Sequence, residues 1–317
     1  MPDEKKIKVA VIVPCYNEEA GLERTFKTLY AEFDDLIRKG RISEQSVLCF
    51  VDDGSKDKTW ELIRRFHAER KALGMKLSRN FGHQYAMLAG MLSLKDDFNC
   101  VITIDADLQD DVSVIGQFVD KYLEGFEIVY GVRKKRNADS IFKRMAAQSY
   151  YRFLGWMGVD VVYNHADFRL VGSRALRALA EYPEVNLFLR GMFPLIGFNS
   201  TIIYYDRSSR VAGKTKYTLA KMFSLALHGI TSFSIKPLRA IAAMGVVVFM
   251  FSVVMSIWVL ISNFLGKTVQ GWSSILFAVF FLGGMQMISL GIIGEYIGKL
   301  YGETKKRPRY IIEDFLK

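Results

Sequence analysis

Cysteine is scarce. Cys15, Cys49 and Cys100 are the only three in 317 residues, and no two stand at a metal-ligand spacing. Each lies in or beside an apolar run, which reads as a reduced, mostly buried thiol. Histidine is nearly as rare. His67, His83, His165 and His228 are scattered and form no HExxH-like cluster. Two phosphate-cradling signatures are missing as well. No GxGxxG and no GxxxxGK[ST] occurs at a strand–helix junction, which argues against a dinucleotide cofactor site and a P-loop. No secretory leader is expected: "MPDEKKIK" is charged, and the apolar run after it is short and lacks a cleavage pattern. Internal repeats and low-complexity tracts are also absent.

Charge is missing from two long stretches. Ala240 to Gly266 and Thr268 to Gly294 hold no charged residue, with Lys267 alone between them. Either run can cross ~30 Å of hydrocarbon as a helix. The expectation is a two-helix transmembrane hairpin with a short loop around Ser262 to Gly271. Two buried core helices are the alternative, disfavoured because uncharged runs above ~18 residues are rare in soluble cores. The net charge of +10 is uneven: residues 1–199 carry 29 Lys+Arg against 28 Asp+Glu, and residues 200–317 carry 14 against 5. Lys236 and Arg239 precede the first run; Lys299, Lys305, Lys306, Arg307 and Arg309 follow the second. Positive flanks stay in the cytoplasm, so a multi-pass protein of the cytoplasmic membrane is expected, its preceding domain facing the cytoplasm. The basic residues hug the spans and suit anionic lipid headgroups; no nucleic-acid partner is expected.

The first two hundred residues alternate strand and helix patterns. "IKVAVIV" (7–13), "SVLCFV" (46–51), "MKLS" (75–78), "CVITID" (100–105) and "EIVYGV" (127–132) read as strands. Helical spacing follows each of the first four, with Asn17 able to cap the first helix and Gly40 to stop it. This alternation predicts an α/β domain with a mostly parallel sheet, in which ligands bind beyond the carboxyl ends of the strands. Farther on, Leu219, Met222, Phe223, Ala226, Leu227 and Ile230 keep helical spacing. They suggest an amphipathic helix on the membrane surface or against the preceding domain.

The expected strand ends carry acids instead of glycine-rich cradles: Asp52 and Asp53, then Asp105, Asp107, Asp110 and Asp111. Carboxylates repel a diphosphate unless a divalent cation bridges the two. Mg²⁺ and Mn²⁺ choose such oxygen ligands. Asp105 and Asp107, two apart in an extended segment, point the same way; with the amide oxygen of Gln109 they form a candidate metal site.

"VIVPCYNEE" (11–19), "VDDGSKDKT" (51–59), "LSRNFGHQYAMLAG" (77–90) and "DADLQD" (105–110) resemble the family 2 glycosyltransferases of GT-A (Rossmann-like) fold. "ADFRL" (166–170), "RVAGKTKY" (210–217), "TSFSIKPLR" (231–239) and "GEYIGKLYGETKKRPRY" (294–310) are similar to the polyprenyl-phosphate branch of that family, the bactoprenol glucosyltransferase and dolichyl-phosphate mannose synthase group. The resemblance covers nearly the whole chain. It implies a GT-A domain over 1–215, an amphipathic region over 216–239, two transmembrane helices over 240–294 and a basic tail over 295–317. It implies inverting transfer of a hexose from a sugar nucleotide to a polyprenyl phosphate, with UDP-glucose as first-choice donor and UDP-GlcNAc as second.

By the same resemblance, Pro14, Tyr16, Glu18, Asp52, Asp53 and Asp105 bind the nucleotide. Asp105, Asp107 and Gln109 hold Mg²⁺ or Mn²⁺. Arg133 and Arg144 meet the acceptor phosphate, Arg210, Lys214 and Lys216 close over the diphosphate, and Asp167 is the base or the group that orients the acceptor. A homo-oligomer, a tetramer in bacterial relatives, is also implied. Gly294, Gly298 and Gly302, spaced by four, suit helix–helix contact. One departure stands out. The family pattern has two prolines after "DLQ", whereas this chain reads Asp110, Asp111 and Val112. That predicts a looser loop with an extra acid competing for the metal. Two other readings are weaker. A lipid-linked scaffold or flippase component would have lost one of Asp53, Asp105 and Asp107, and a processive polysaccharide synthase needs a QxxRW motif and more spans.

Overall fold

The computed structural model describes residues 6–69, 71–134, 165–185, 189–206, 235–265 and 271–317. β1 (Val9–Cys15) is buried at every position, as a strand covered on both faces must be. It pairs in parallel with β2 (Val47–Asp52) and with β4 (Cys100–Thr103), and β2 with β3 (Ala72–Leu77). The crossovers are α1 (Leu22–Arg38), α2 (Thr59–Ala68) and α3 (His83–Leu94), and α4 (Ile115–Leu123) follows β4. α1 buries Leu22, Phe26, Leu29, Phe33 and Leu36 along one stripe, with Phe26 stacked on Phe66 of α2 at 4.1 Å. Gly90 lets α3 lie close on the sheet: a Cβ there would stand 2.5 Å from Ile12 Cγ2.

The start of α1 differs from expectation. Its cap is Gly21, not Asn17. Asn17 takes a left-handed φ of 54°. Its backbone N–H donates to Ser55 Oγ and its Oδ1 accepts from Lys56 N, both at 2.9 Å. It thus ties the loop after β1 to the loop after β2, which competes with capping. At the other end Gly40 sits at φ 70°, the left-handed position that stops a helix.

After β5 (Ile128–Arg133) comes a strand that the periodicity did not assign, β6 (His165–Gly172). It runs antiparallel between β4 and β5. A reversed strand brings its beginning, rather than its end, to the carboxyl edge of its neighbours. "ADFRL" therefore delivers Asp167 to the ligand edge. α5 (Ser173–Ala180), α6 (Leu189–Ile196) and β7 (Ser200–Tyr205) complete this half. The sheet order is β7-β5-β6-β4-β1-β2-β3-β8, so the mostly parallel architecture holds, with β6 and β8 reversed.

β8 (Ile312–Leu316) lies where a tail was expected. It pairs antiparallel with β3, setting Gly74 against Leu316 and Lys76 against Asp314. Lys76 Nζ reaches Glu313 Oε1 at 3.0 Å, Ser78 N donates to Ile311 O at 3.0 Å, and Arg309 Nη1 donates to Tyr182 O at 2.8 Å. Gly74 leaves room for this strand, because a Cβ there would sit 2.7 Å from Ile63 Cγ2 and 3.2 Å from Leu316 Cδ1.

Two compact units result. One comprises Met1–Tyr151, Asp160–Tyr217 and Arg307–Lys317; the other comprises Arg152–Val159 and Thr218–Lys306. In the second, α7 (Lys236–Phe264) and α8 (Trp272–Thr304) carry the two uncharged runs and extend past them at the outer ends. Val247, Phe249, Phe251 and Trp258 on α7 and Met287, Ile288 and Leu290 on α8 are exposed, as lipid-facing helices require. Among the described residues, Lys236–Met255 is the stretch long and apolar enough to cross a membrane by length and composition. The expected surface helix falls mainly on residues outside the described ones; its last four positions, 236–239, open α7.

Removing residues 311–317 should cost about 3–5 kcal/mol, taking ~1 kcal/mol for each lost ladder bond. The readout is a thermal midpoint lower by roughly 10 °C; an unchanged midpoint would show that β8 adds nothing to the sheet.

Candidate active site

The carboxyl ends of β1, β4 and β5, the start of β6 and the first turns of α3 and α6 enclose a cleft of about 640 Å³. Pro14, Tyr16 and Glu18 line it from the end of β1, as expected. Tyr16 is 43% exposed there, presenting an aromatic face. Glu18 also starts α1: its carbonyl accepts from Gly21 N and Leu22 N, while its N–H donates to Thr59 Oγ1.

The two acids after β2 do different things. Asp53 lines the cleft, yet its carboxylate braces a loop, Oδ1 accepting from Phe81 N at 2.8 Å and Oδ2 from Gly82 N at 2.9 Å. Burial raises its pKa, and these two bonds only partly oppose that. Gly54 makes the brace possible. It sits at φ 68°, where a Cβ would fall 2.5 Å from the Arg79 carbonyl carbon. Asp52 does not face the cleft; its side chain is buried and Oδ1 accepts from Ser55 N at 3.2 Å.

Asp105 and Asp107 both face the cleft. Asp105 Oδ1 is shielded from water and accepts no aligned hydrogen bond, although His83 Nε2 stands 3.1 Å away. Two hard carboxylates on an open cleft fit a divalent cation whose remaining ligands are substrate phosphate and water. Among the described residues no three His, Cys, Asp or Glu side chains gather into a metal-binding cluster. Gln109 meets this pair through its backbone, its N–H donating to Asp107 Oδ1 at 3.3 Å. Leu108 takes a left-handed φ of 46° and turns the chain, leaving Gln109 buried at 3% exposure and off the cleft wall.

Asp167 is held by two arginines. Its Oδ1 accepts from Arg169 Nη2 at 2.6 Å and from Arg190 Nε at 3.1 Å; its Oδ2 accepts from Arg190 Nη2 at 2.9 Å. Burial alone would raise its pKa, but Arg190 and Arg169 outweigh burial and hold it well below the usual carboxylate range. A carboxylate so paired is a poor proton acceptor at neutral pH. His83 Nε2 lies 3.9 Å from its Oδ2. Burial lowers the His83 pKa, but Asp105 and Asp167 overcome this and raise it above the ordinary value. Arg144, Arg210, Lys214 and Lys216 lie outside the described residues.

The family model described as Glycosyl transferase family 2 matches residues 10–180. The chain belongs to glycosyltransferase family 2. A second model, the GtrB C-terminal hairpin, matches residues 236–300 and makes this glycosyltransferase a membrane-associated one. It is 51% identical over 306 residues to a protein of Bacillus subtilis (strain 168) named an uncharacterized glycosyltransferase, covering 96% of this chain and 91% of the relative. It is 36% identical over 310 residues to the prophage bactoprenol glucosyl transferase homolog of Escherichia coli (strain K12), covering 97% and 99%. Among solved structures, mannosyl-3-phosphoglycerate synthase from Rubrobacter xylanophilus aligns at a TM-score of 0.48 with 13% identity, over 75% of each chain.

In this glycosyltransferase the residues standing where the family pattern has prolines are well held. Asp111 caps the turn that opens at Val112, accepting from Ser113 N at 3.0 Å and Ser113 Oγ at 2.7 Å. Asp110 is 1% exposed in its side chain. It accepts from Arg133 Nε at 2.8 Å and Nη2 at 3.1 Å, and from Tyr205 Oη at 2.7 Å. The extra acid therefore does not compete for a metal; it fixes Arg133 at the cleft wall. Burial would lower the Arg133 pKa, and Asp110 more than reverses this.

Two cleft residues escaped the sequence reading. Arg190 is the only charge between Glu184 and Asp206, and a lone charge in an apolar stretch needs a buried partner. That signal was available. His83 has none beyond its place just after β3. The cysteine reading fits the structure: all three thiols are buried, and burial pushes Cys49 up to about 12.

Asp110→Ala should cost about 2–3 kcal/mol by removing the buried carboxylate that holds part-buried Arg133 and Tyr205, whereas Asp111→Ala should cost ~1 kcal/mol as a lost cap. Thermal melts of the two variants check the ranking; equal losses would remove the distinction between clamp and cap.

Proposed function

We propose that this glycosyltransferase moves a hexose from a sugar nucleotide to the phosphate of a polyprenyl phosphate at the cytoplasmic face of the membrane. UDP-glucose is the first-choice donor and UDP-GlcNAc the second. The observation that carries the reading is the cleft itself, where Asp105 and Asp107 face the same space as Arg133 and Arg190. Carboxylates suit a cation on the donor diphosphate, and arginines suit a second, anionic substrate. The bactoprenol glucosyl transferase names among the relatives point to the same pair of substrates.

Pro14, Tyr16 and Glu18 would hold the nucleoside, and Asp53 would act by shaping the loop that ends in Gly82. Mg²⁺ or Mn²⁺ at Asp105 and Asp107 would supply charge neutralisation for the departing nucleoside diphosphate. Gln109 would act through its backbone N–H, which steadies the Asp107 carboxylate. Arg133 and Arg190, with Arg144, Arg210, Lys214 and Lys216, provide the positive charge that two anionic substrates require. No strong base is needed, because a phosphate monoester is mostly dianionic at pH 7, its second pKa being ~6.

The return of β8 to the sheet supports the membrane arrangement. The chain leaves the sheet after Tyr205 and rejoins it at Ile312. A folded sheet sits on one side of a bilayer, so an even number of spans is required between those points. Two spans with basic flanks give a cytoplasmic catalytic unit.

Purified protein given radiolabelled UDP-glucose, Mg²⁺ and undecaprenyl phosphate should place label in the organic phase, and excess EDTA should remove that activity. Asp107→Ala should lower transfer by ~100-fold or more, a loss of about 3 kcal/mol of stabilisation. No extractable label with either UDP-sugar, or full turnover in EDTA, would overturn this reading.

A further inference from the structure

We propose that Arg190 binds the phosphate of the acceptor and that Asp167 is the positioning residue that aims it. This assignment rests on the transfer reaction proposed above. Arg190 stands in the first turn of α6, its side chain 35% exposed and on the cleft wall. Two parallel bonds to Asp167 fix the plane of its guanidinium. Asp167 cannot swing away, because Arg169 grips it from the other side at 2.6 Å. Arg169 is itself 1% exposed and lies over the ring of Phe193 at 4.7 Å. Phe193 is one turn beyond Arg190 on the same helix, so the stack pins α6 to β6. The result is a rigid bracket carrying two positive charges around one negative.

Its placement separates it from the donor's cation. His83 Nε2 lies 3.1 Å from Asp105 and 3.9 Å from Asp167, so the imidazole stands between the pair suited to a metal and the bracket. The donor diphosphate would take its counter-charge from the divalent cation held at Asp105 and Asp107; a second anion arriving beside it needs its own. The chemistry agrees. An acceptor phosphate oxygen forms the bond to the anomeric carbon while the bond from that carbon to the diphosphate oxygen breaks. The electron pair leaves with the nucleoside diphosphate, and no proton is transferred. A hydroxyl acceptor would need a base at this point, and both oxygens of Asp167 are occupied by arginines. The bracket thus favours a nucleophile that arrives already charged.

Steady-state kinetics of the full-length protein, with UDP-glucose and undecaprenyl phosphate varied in turn, tests this. Arg190→Gln should raise KM for undecaprenyl phosphate about tenfold or more while KM for UDP-glucose stays within about threefold; Arg190→Lys should fall between. Asp167→Asn should raise the same acceptor KM, keep kcat at saturating acceptor within about threefold and leave the pH profile of kcat unchanged. Retained quenching of tryptophan fluorescence by UDP-glucose verifies folding; should Arg190→Gln fail it, Arg190→Lys and Asp167→Asn decide. A raised donor KM with unchanged acceptor KM in the Arg190 variants overturns the assignment. So does a ~100-fold loss of kcat in Asp167→Asn with a lost acid limb, which would make Asp167 the base. Wild-type protein that forms no lipid-linked sugar overturns the transfer reaction and this assignment with it.

Discussion

Uncompensated negative charge at the carboxyl edge of one sheet is the constraint that organises this protein. Asp53, Asp105, Asp107, Asp110 and Asp167 all come to that edge, and an unpaired buried carboxylate costs several kcal/mol. Each is answered differently. Asp53 takes two backbone N–H groups, Asp110 takes Arg133 and Tyr205, and Asp167 takes Arg169 and Arg190. Asp105 and Asp107 face the cleft, with His83 3.1 Å from Asp105. Arginines thus hold Asp110 and Asp167, backbone N–H groups hold Asp53, and Asp105 and Asp107 are the pair that faces the cleft in a form chemically suited to a metal.

The reversed strand β6 makes this division possible. In a purely parallel sheet the cleft would be built from strand ends and the loops after them. β6 adds a strand beginning, so Asp167 arrives on a rigid ladder position just before the Thr103–Arg169 pair. Arg169 is then buried between β4 and β5, where it can reach Asp167 and stack on Phe193. Rigid elements place charged groups more accurately than loops do; Asp167 and Arg133 sit on strands, and His83 and Arg190 in the first turns of helices.

The parallel half was legible in the sequence because its signals are local. Continuous apolar runs marked β1, β2 and β4, and helical spacing marked α1. The hairpin was legible from two uncharged runs. β6 and β8 were not, because "HADFRLVG" and "IEDFL" carry mixed polarity; what makes them strands is a partner far away in sequence. The site was half legible for the same reason. Asp105 and Asp107 announce themselves by their spacing just beyond β4. The Arg133–Asp110 pair and the Arg190–Asp167 pair each span 23 residues, and no periodicity reports a contact between separate elements. Gln109 shows a limit of spacing: its backbone N–H does donate to Asp107 Oδ1, while a left-handed turn at Leu108 leaves its side chain buried.

The last strand adds a constraint on folding order. Lys76 and Glu313 are 237 residues apart, and between them lie both helices of the C-terminal hairpin, α7 and α8. Until the hairpin has been made, β3 is an edge strand with unpaired backbone groups, a template for wrong pairing. Long-range pairings of this kind form late, because the loop must close before any contact stabilises it. Gly74 sharpens the requirement: the gap over it fits Leu316, and leaving that gap unfilled would expose Ile63 and Trp60 beside the edge. The chain that leaves the sheet after Tyr205 must therefore return to β3 past α7 and α8, and the sheet is complete only once both helices have been made.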